Sequence, residues 1–320
     1  MPSITTHYLL GKDALEKVDA ALLSIIHEYP KLFNIGTSGP DFFFYYNALP
    51  WLDQKEAAKV SHYGSLVHSH YINEFFKEVF TQIAVNKDPA VISHVAGLLC
   101  HWAMDKTCHP YIFYQTEGDK LSAYYHRQFE STLDTLILNK LKNINLKDFK
   151  PYDIVVYDET CVDGIYNAYQ SALNKVFDIQ LEEKIVETAL KHFYQAQKLL
   201  YDKQGFKKKN FEKIEKHLLK KPFLLSCMMA PTSTVDEYDI LNLSHQVWRH
   251  PVTGMACSKS FLDLYQESLD TAQTVLHLFN QFLNDNQTMP SLLAYIDNQS
   301  FETGLSTYQE LAFNDCIYTR

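Results

Sequence analysis

The chain has 320 residues and a mass of 37.1 kDa, enough for one large domain or two modest ones. Hydrophobic residues make up 46% and charged residues 21%, which excludes extensive disorder because that much apolar surface offsets the entropy of ordering the chain. A net charge of -9 excludes bulk electrostatic attraction to nucleic acid or anionic membrane and leaves such work to a local basic patch.

The first residues, Met1-Pro2-Ser3-Ile4-Thr5-Thr6-His7, carry neither the apolar run nor the small-residue cleavage site of a signal peptide. A charged helical pattern runs from Lys12 to Lys17. Between Ala14 and Tyr29 the residues Leu15, Val18, Leu22, Ile25 and Ile26 recur at three- and four-residue steps, predicting a helix that Pro30 ends. Gly36-Thr37-Ser38-Gly39-Pro40-Asp41 reads as a loop, and a dense aromatic stretch, Phe42 to Tyr46, follows it. Further helices are predicted at about 57–83, 89–107, 121–142, 160–177 and 180–201, then near 208–219, 259–285 and 290–297. Asp153 to Tyr157 comes nearest to a strand pattern. Only 10 glycines and 11 prolines punctuate the chain, which argues for long helices over a turn-dense sandwich. The expectation is an all-α fold: a single multi-helix domain over residues 1–320.

Six cysteines are scattered without a CxxC pair, as expected of buried small hydrophobes in a reducing compartment. The longest apolar run, Pro222 to Pro231, is too short to span a bilayer, so a cytoplasmic protein without a transmembrane segment is expected. Residues 203–221 hold eight lysines, interrupted by Glu212 and Glu215 and given an apolar side by Phe206, Phe211 and Ile214. This run is either a solvated amphipathic helix or a contact for phosphate or a membrane surface.

The histidines carry the chemical signal. With 14 His and 38 acidic residues, chance supplies about two His-x-x-x-acid pairs, so a single pair means little. Between His94 and Pro110, however, His101, Asp105 and His109 stand at i, i+4 and i+8, on one helical face if the helix persists that far. Their neighbours Val95, Leu98, Leu99, Trp102 and Ala103 are apolar, and ionisable groups in such surroundings are costly unless paired or bound to metal. A structural His–Asp network is the plainer alternative. His94 reads as core or as a support for the cluster. The next helix repeats the device with His126 and Glu130, and metal sites in bundles are built from inward side chains on such facing helices. Upstream, Asp41 follows Gly39-Pro40, and His62, His68 and His70 lie on one helical stretch.

In this order, His, Gly-Pro-Asp, His, His-x-x-x-Asp-x-x-x-His-Pro and His-x-x-x-Glu, the motifs resemble the zinc-dependent phospholipase C family, which shares its all-helical fold with the S1/P1-type nucleases. The matching motifs span residues 7 to 130, and the stretch from Asn242 to Ser258 is also similar to bacterial members. The resemblance implies two or three zinc ions. Asp41, His68, His101 and Asp105 would hold one, and His109, His126 and Glu130 a second. The third would take His7, a bridging Asp105 and the N-terminal amine and carbonyl, which here requires removal of Met1 to expose Pro2. His68 fits the pattern better than His62 or His70, and Cys100 and Cys108 would be neighbours of the site, not ligands. The lipid-binding β domain of the toxin members is not expected.

The implied activity is hydrolysis of a phospholipid head-group phosphodiester by metal-activated water, with Asp41 as the catalytic carboxylate that orients or deprotonates that water. A phospholipid or another small phosphodiester is the expected substrate; long nucleic acid is not, and peripheral membrane contact stays open. Phe42, Phe43, Phe44, Tyr45 and Tyr46 either line the cleft or pack in the core. Two alternatives remain at this level: a nucleotide or single-stranded nucleic acid phosphoesterase, and a non-enzymatic helical binding protein with a structural metal.

Overall fold

Helices account for nearly all regular structure in residues 4–49, 51–215 and 225–319, the part of the chain described by this computed structural model. In chain order they are α1 (Ile4–Ala14), α2 (Ala20–Glu28), α3 (Pro30–Gly36), α4 (Gln54–Ser69), α5 (Ile72–Asn86), α6 (Pro89–Thr116) and α7 (Ser122–Lys142). There follow α8 (Val162–Phe177), α9 (Glu183–Leu200), α10 (Phe206–Ile214), α11 (Phe261–Asn284) and α12 (Met289–Ile296). Among the described residues the only strands are β1 (Trp248–Arg249) and β2 (Ala256–Cys257), a two-residue antiparallel pair with Trp248 opposite Cys257. The fold is all-α.

Helix α6 organises the rest. Asp88 caps its first turn through the Ala90 N–H, and Pro89 takes the first position, where a missing donor costs nothing. Its 28 residues span about 42 Å. Most of its circumference is buried, because α3 and α11 pack along it while α1, α2, α7 and α8 close other sides. Gly36 and Gly97 set the α3–α6 spacing: a Cβ on Gly36 would lie 2.2 Å from the His94 carbonyl, and one on Gly97 2.3 Å from the Phe33 carbonyl. The two backbones therefore touch, and the chain leaving α3 runs directly over α6.

Several expected boundaries shift. The stripe from Ala14 to Tyr29 is split, because Val18 and Asp19 are extended and only Ala20–Glu28 forms a regular helix. The expected 57–83 helix is two, broken at Tyr71 in the left-handed region (φ 54°). Helix α6 runs past the expected end at 107, through Pro110, to Thr116. An interior proline costs about 3 kcal/mol, and burial of Cys108, Tyr111 and Ile112 around it opposes that cost. Pro151–Asp153, where the strand-like pattern begins, is a 3-10 turn. The basic helix is seen over Phe206–Ile214; Lys216, Lys220, Lys221 and the start of the Pro222 to Pro231 run lie outside the described residues. No described helix is long and apolar enough to cross a membrane. All six cysteines are free thiols, five of them buried.

Candidate metal centre

Five segments bring the expected ligands together. On α6 the four-residue spacing puts His101, Asp105 and His109 on one buried face, as the helix persists through all three. Helix α7 presents His126 and Glu130 by the same rule. His68 comes from the last turn of α4, and Asp41 from the 3-10 segment Gly39–Tyr45. Gly39 opens that segment at φ +52°, where a Cβ would lie 2.2 Å from the His101 ring. His7 arrives on α1, whose first turn is capped from a distance: Asp134 of α7 accepts from the Thr5 and Thr6 N–H groups and from the Thr6 hydroxyl.

Asp105 lies at the centre, with its two oxygens turned to different partners. Oδ2 is 3.0 Å from His101 Nε2 and 3.7 Å from His68 Nε2. Oδ1 is 3.1 Å from His7 Nε2 and 3.6 Å from His109 Nε2. Asp41 Oδ1 lies 3.2 Å from His68 Nε2 and 3.9 Å from His101 Nε2, while Glu130 Oε1 is 3.3 Å from both His109 Nε2 and His126 Nε2. Three triads result: His7, His101 and Asp105; Asp41, His68 and His101; and His109, His126 and Glu130, each with ligand atoms within 4.8 Å of one another.

The second nitrogen of three of the five histidines is spoken for. His68 Nδ1 meets the Gly64 carbonyl at 2.7 Å, His101 Nδ1 the Thr37 carbonyl at 3.1 Å, and His109 Nδ1 the Phe301 carbonyl at 2.9 Å. Since a carbonyl only accepts, Nδ1 carries the proton, and in the neutral ring Nε2 presents a lone pair to the cluster. His68 Nε2 and His101 Nε2 then face each other at 3.5 Å. Two lone pairs at that separation, beside an Asp41 Oδ1 that makes no hydrogen bond, call for a shared proton or a cation. The donor set is imidazole and carboxylate without thiolate, which suits zinc with open positions. Cys100 and Cys108, both pushed up to about 12 by burial, stand outside all three triads.

The electrostatics without a cation show the same need. Burial opposes ionisation of Asp105, yet the imidazoles of His101, His109 and His7 hold its carboxyl well below the usual range. Burial also pushes His109 down, but Asp105 and Glu130 outweigh it and raise the ring to about 9. At His101 burial prevails and the ring stays below its ordinary value.

The other three histidines considered from the sequence separate cleanly. His94 is buried against Tyr169, with Nδ1 on the Leu32 carbonyl, and belongs to the core. His62 is exposed, and His70 is exposed and stacks on Tyr308. Of the aromatic run, Phe42, Phe43, Tyr45 and Tyr46 are buried, and Phe44 packs on His68 at 5.7 Å. Met1 and Pro2, the source of the expected amine and carbonyl ligands, lie outside the described residues.

Sequence reasoning missed Asp134 and Phe301. Asp134 continues the four-residue spacing of His126 and Glu130, so its signal was present. Phe301 carried none: its N–H donates to the His68 carbonyl, its carbonyl receives His109, and its ring packs on His68 and His101.

A model of the family described as zinc dependent phospholipase C matches residues 6–179, more than half of the chain, and the chain belongs to that family. No curated protein and no solved structure matches it.

Proposed function

We propose that this member of the zinc-dependent phospholipase C family hydrolyses the head-group phosphodiester of a phospholipid at the centre built around Asp105. The split of the Asp105 carboxylate between two groups of imidazoles carries this reading, because one side chain then serves two adjacent cation positions. Asp41, His68, His101 and Asp105 would hold one zinc, and His109, His126 and Glu130 a second. His7 with Asp105 Oδ1 would contribute to a third. Zinc bound there would lower the pKa of water and offset negative charge on a phosphate.

The protein's own groups do the rest. The Gly64, Thr37 and Phe301 carbonyls fix the imidazole tautomers, so Nε2 needs no reorientation. Asp41, buried and with Oδ1 lacking a hydrogen-bond partner, would orient or deprotonate the attacking water. Arg127 follows His126 on α7, and its positive charge acts on the Tyr45 phenol together with Asp41 and Glu130, so it would add positive charge near an anionic substrate. Burial of Phe42, Phe43 and Tyr45 in the core removes these three rings as platforms for stacking bases, which takes that support from a nucleic-acid substrate. We take residues 1–320 as one folding unit, because the 299–301 backbone bonds to α4 and to Trp102 and His109 of α6.

The test is metal content per chain on untagged protein purified without chelator, followed by assay of a phosphocholine ester beside a nucleotide ester. Two or three zinc ions with faster cleavage of the phosphocholine ester are expected. Faster cleavage of the nucleotide ester would replace the substrate and keep the chemistry. Absence of metal after zinc is added back would end the enzyme reading.

A further inference from the structure

Helix α10 is an unusual surface for an acidic protein. Between residues 203 and 214 five lysines stand against one glutamate, in a chain of net charge -9. Lys207 reaches back to the Leu199 and Tyr201 carbonyls, and the other polar contacts of the helix lie on the side away from Phe206. Lys208 Nζ donates to the Met229 carbonyl, the Lys208 N–H donates to Asp202, and the buried carboxylate of Glu215, just past the helix, receives the Ser226 N–H and hydroxyl.

On the 100° wheel these three contacts leave the opposite side facing water. Phe206 is 64% exposed and Ile214 46% exposed, although burial of either ring or branch is worth about 1.5–3 kcal/mol. Lys203, Lys209 and Lys213 are exposed around them. Apolar side chains pointing outward within a rim of lysines match a surface that offers both hydrocarbon and negative charge. An acidic peptide satisfies only the lysines, and an apolar protein groove only Phe206 and Ile214. The position also suits such contact. The 227–231 segment beneath α10 is bonded to α7, with Ser131 donating to the Cys227 carbonyl and Thr135 to the Pro231 carbonyl. Ser131 follows Glu130 directly.

We propose that the outer face of α10 and its flanking lysines dock the protein onto an anionic lipid surface. Phe206 and Ile214 enter the acyl boundary, while Lys203, Lys209 and Lys213 meet the head groups. Docking brings α7, which carries His126 and Glu130, toward the bilayer.

The experiment is flotation of the full chain with phosphatidylcholine vesicles, alone or containing phosphatidylserine, at low and high salt. Binding is scored separately from hydrolysis, so it stands or falls independently of the catalytic reading. The wild type should bind phosphatidylserine-containing vesicles and be released by salt. K209E/K213E should lower the partition coefficient roughly tenfold or more, and F206S several-fold, with zinc content and thermal midpoint unchanged. Equal binding to both vesicle types, or undiminished binding by K209E/K213E, would overturn the proposal. Absence of vesicle binding together with self-association that K209E/K213E abolishes would assign the face to a second copy instead.

Discussion

Asp105 shows how one residue sets the character of the centre. Four imidazole nitrogens from three helices lie within 3.7 Å of its two oxygens, so a carboxylate and neutral rings can share this space only with a cation or a shared proton between them. Asp105→Asn keeps the volume and removes the charge. We expect it to lose at least one zinc per chain and lower phosphodiester hydrolysis by roughly a thousandfold, with helicity intact. Metal analysis beside circular dichroism checks this; a variant with full zinc and full rate would show that Asp105 bridges nothing. His94, by contrast, is a histidine the core must keep neutral. Burial lowers its pKa to about 4 from 6.5, so the folded state binds fewer protons than the unfolded state between those values. Its contribution is therefore constant above pH 6.5 and is lost as pH falls through that window, amounting to about 2 kcal/mol by pH 5. Urea unfolding at pH 7.5 and pH 5 should show His94→Gln losing less stability than the wild type over that interval. Equal losses would mean that His94 is not the group responsible.

At the scale of elements, ligand spacing within a helix was readable and ligand delivery between helices was not. The four-residue steps on α6 and α7 follow from 3.6 residues per turn and hold in the structure. The start of α1 is different, because its first N–H groups are satisfied by Asp134 on α7, over 120 residues away. That bond decides where His7 lies. Asp134→Ala should free the first turn of α1 and cost about 2 kcal/mol of stability. It should also reduce zinc by about one ion per chain while the His109, His126 and Glu130 group keeps its own. Unchanged metal content in a destabilised variant would confine Asp134 to a structural role. The breaks at Val18–Asp19 and Tyr71 were not legible either, since apolar periodicity continues across both.

Across the whole molecule, the centre joins α1, the Gly39–Tyr45 segment, α4, α6, α7 and the loop at Phe301. Metal bound only by the folded state adds RT ln(1 + [L]/Kd), about 2.7 kcal/mol at a hundredfold excess over Kd. Strong chelator should therefore lower the thermal midpoint by about 5 °C or more, and zinc should restore it. A midpoint indifferent to chelator would show that these segments are held by apolar packing alone. The long buried contacts of α3 and α11 along α6 make complete unfolding on metal loss unexpected.

What the amino-acid sequence determined by itself is local and periodic. Its apolar spacing dictated an all-helical chain, and its His–Asp–His and His–Glu steps placed ligand types on common faces, because a helix's geometry is fixed by neighbouring residues. Tertiary structure decided which faces meet. Gly36 against Gly97 lets α3 lie on α6 and brings the Thr37 carbonyl to His101. A loop near residue 301 supplies backbone groups that no side-chain pattern announces. Backbone carbonyls are alike at every position, so the contacts that fix the tautomers at this centre arise only when distant segments pack.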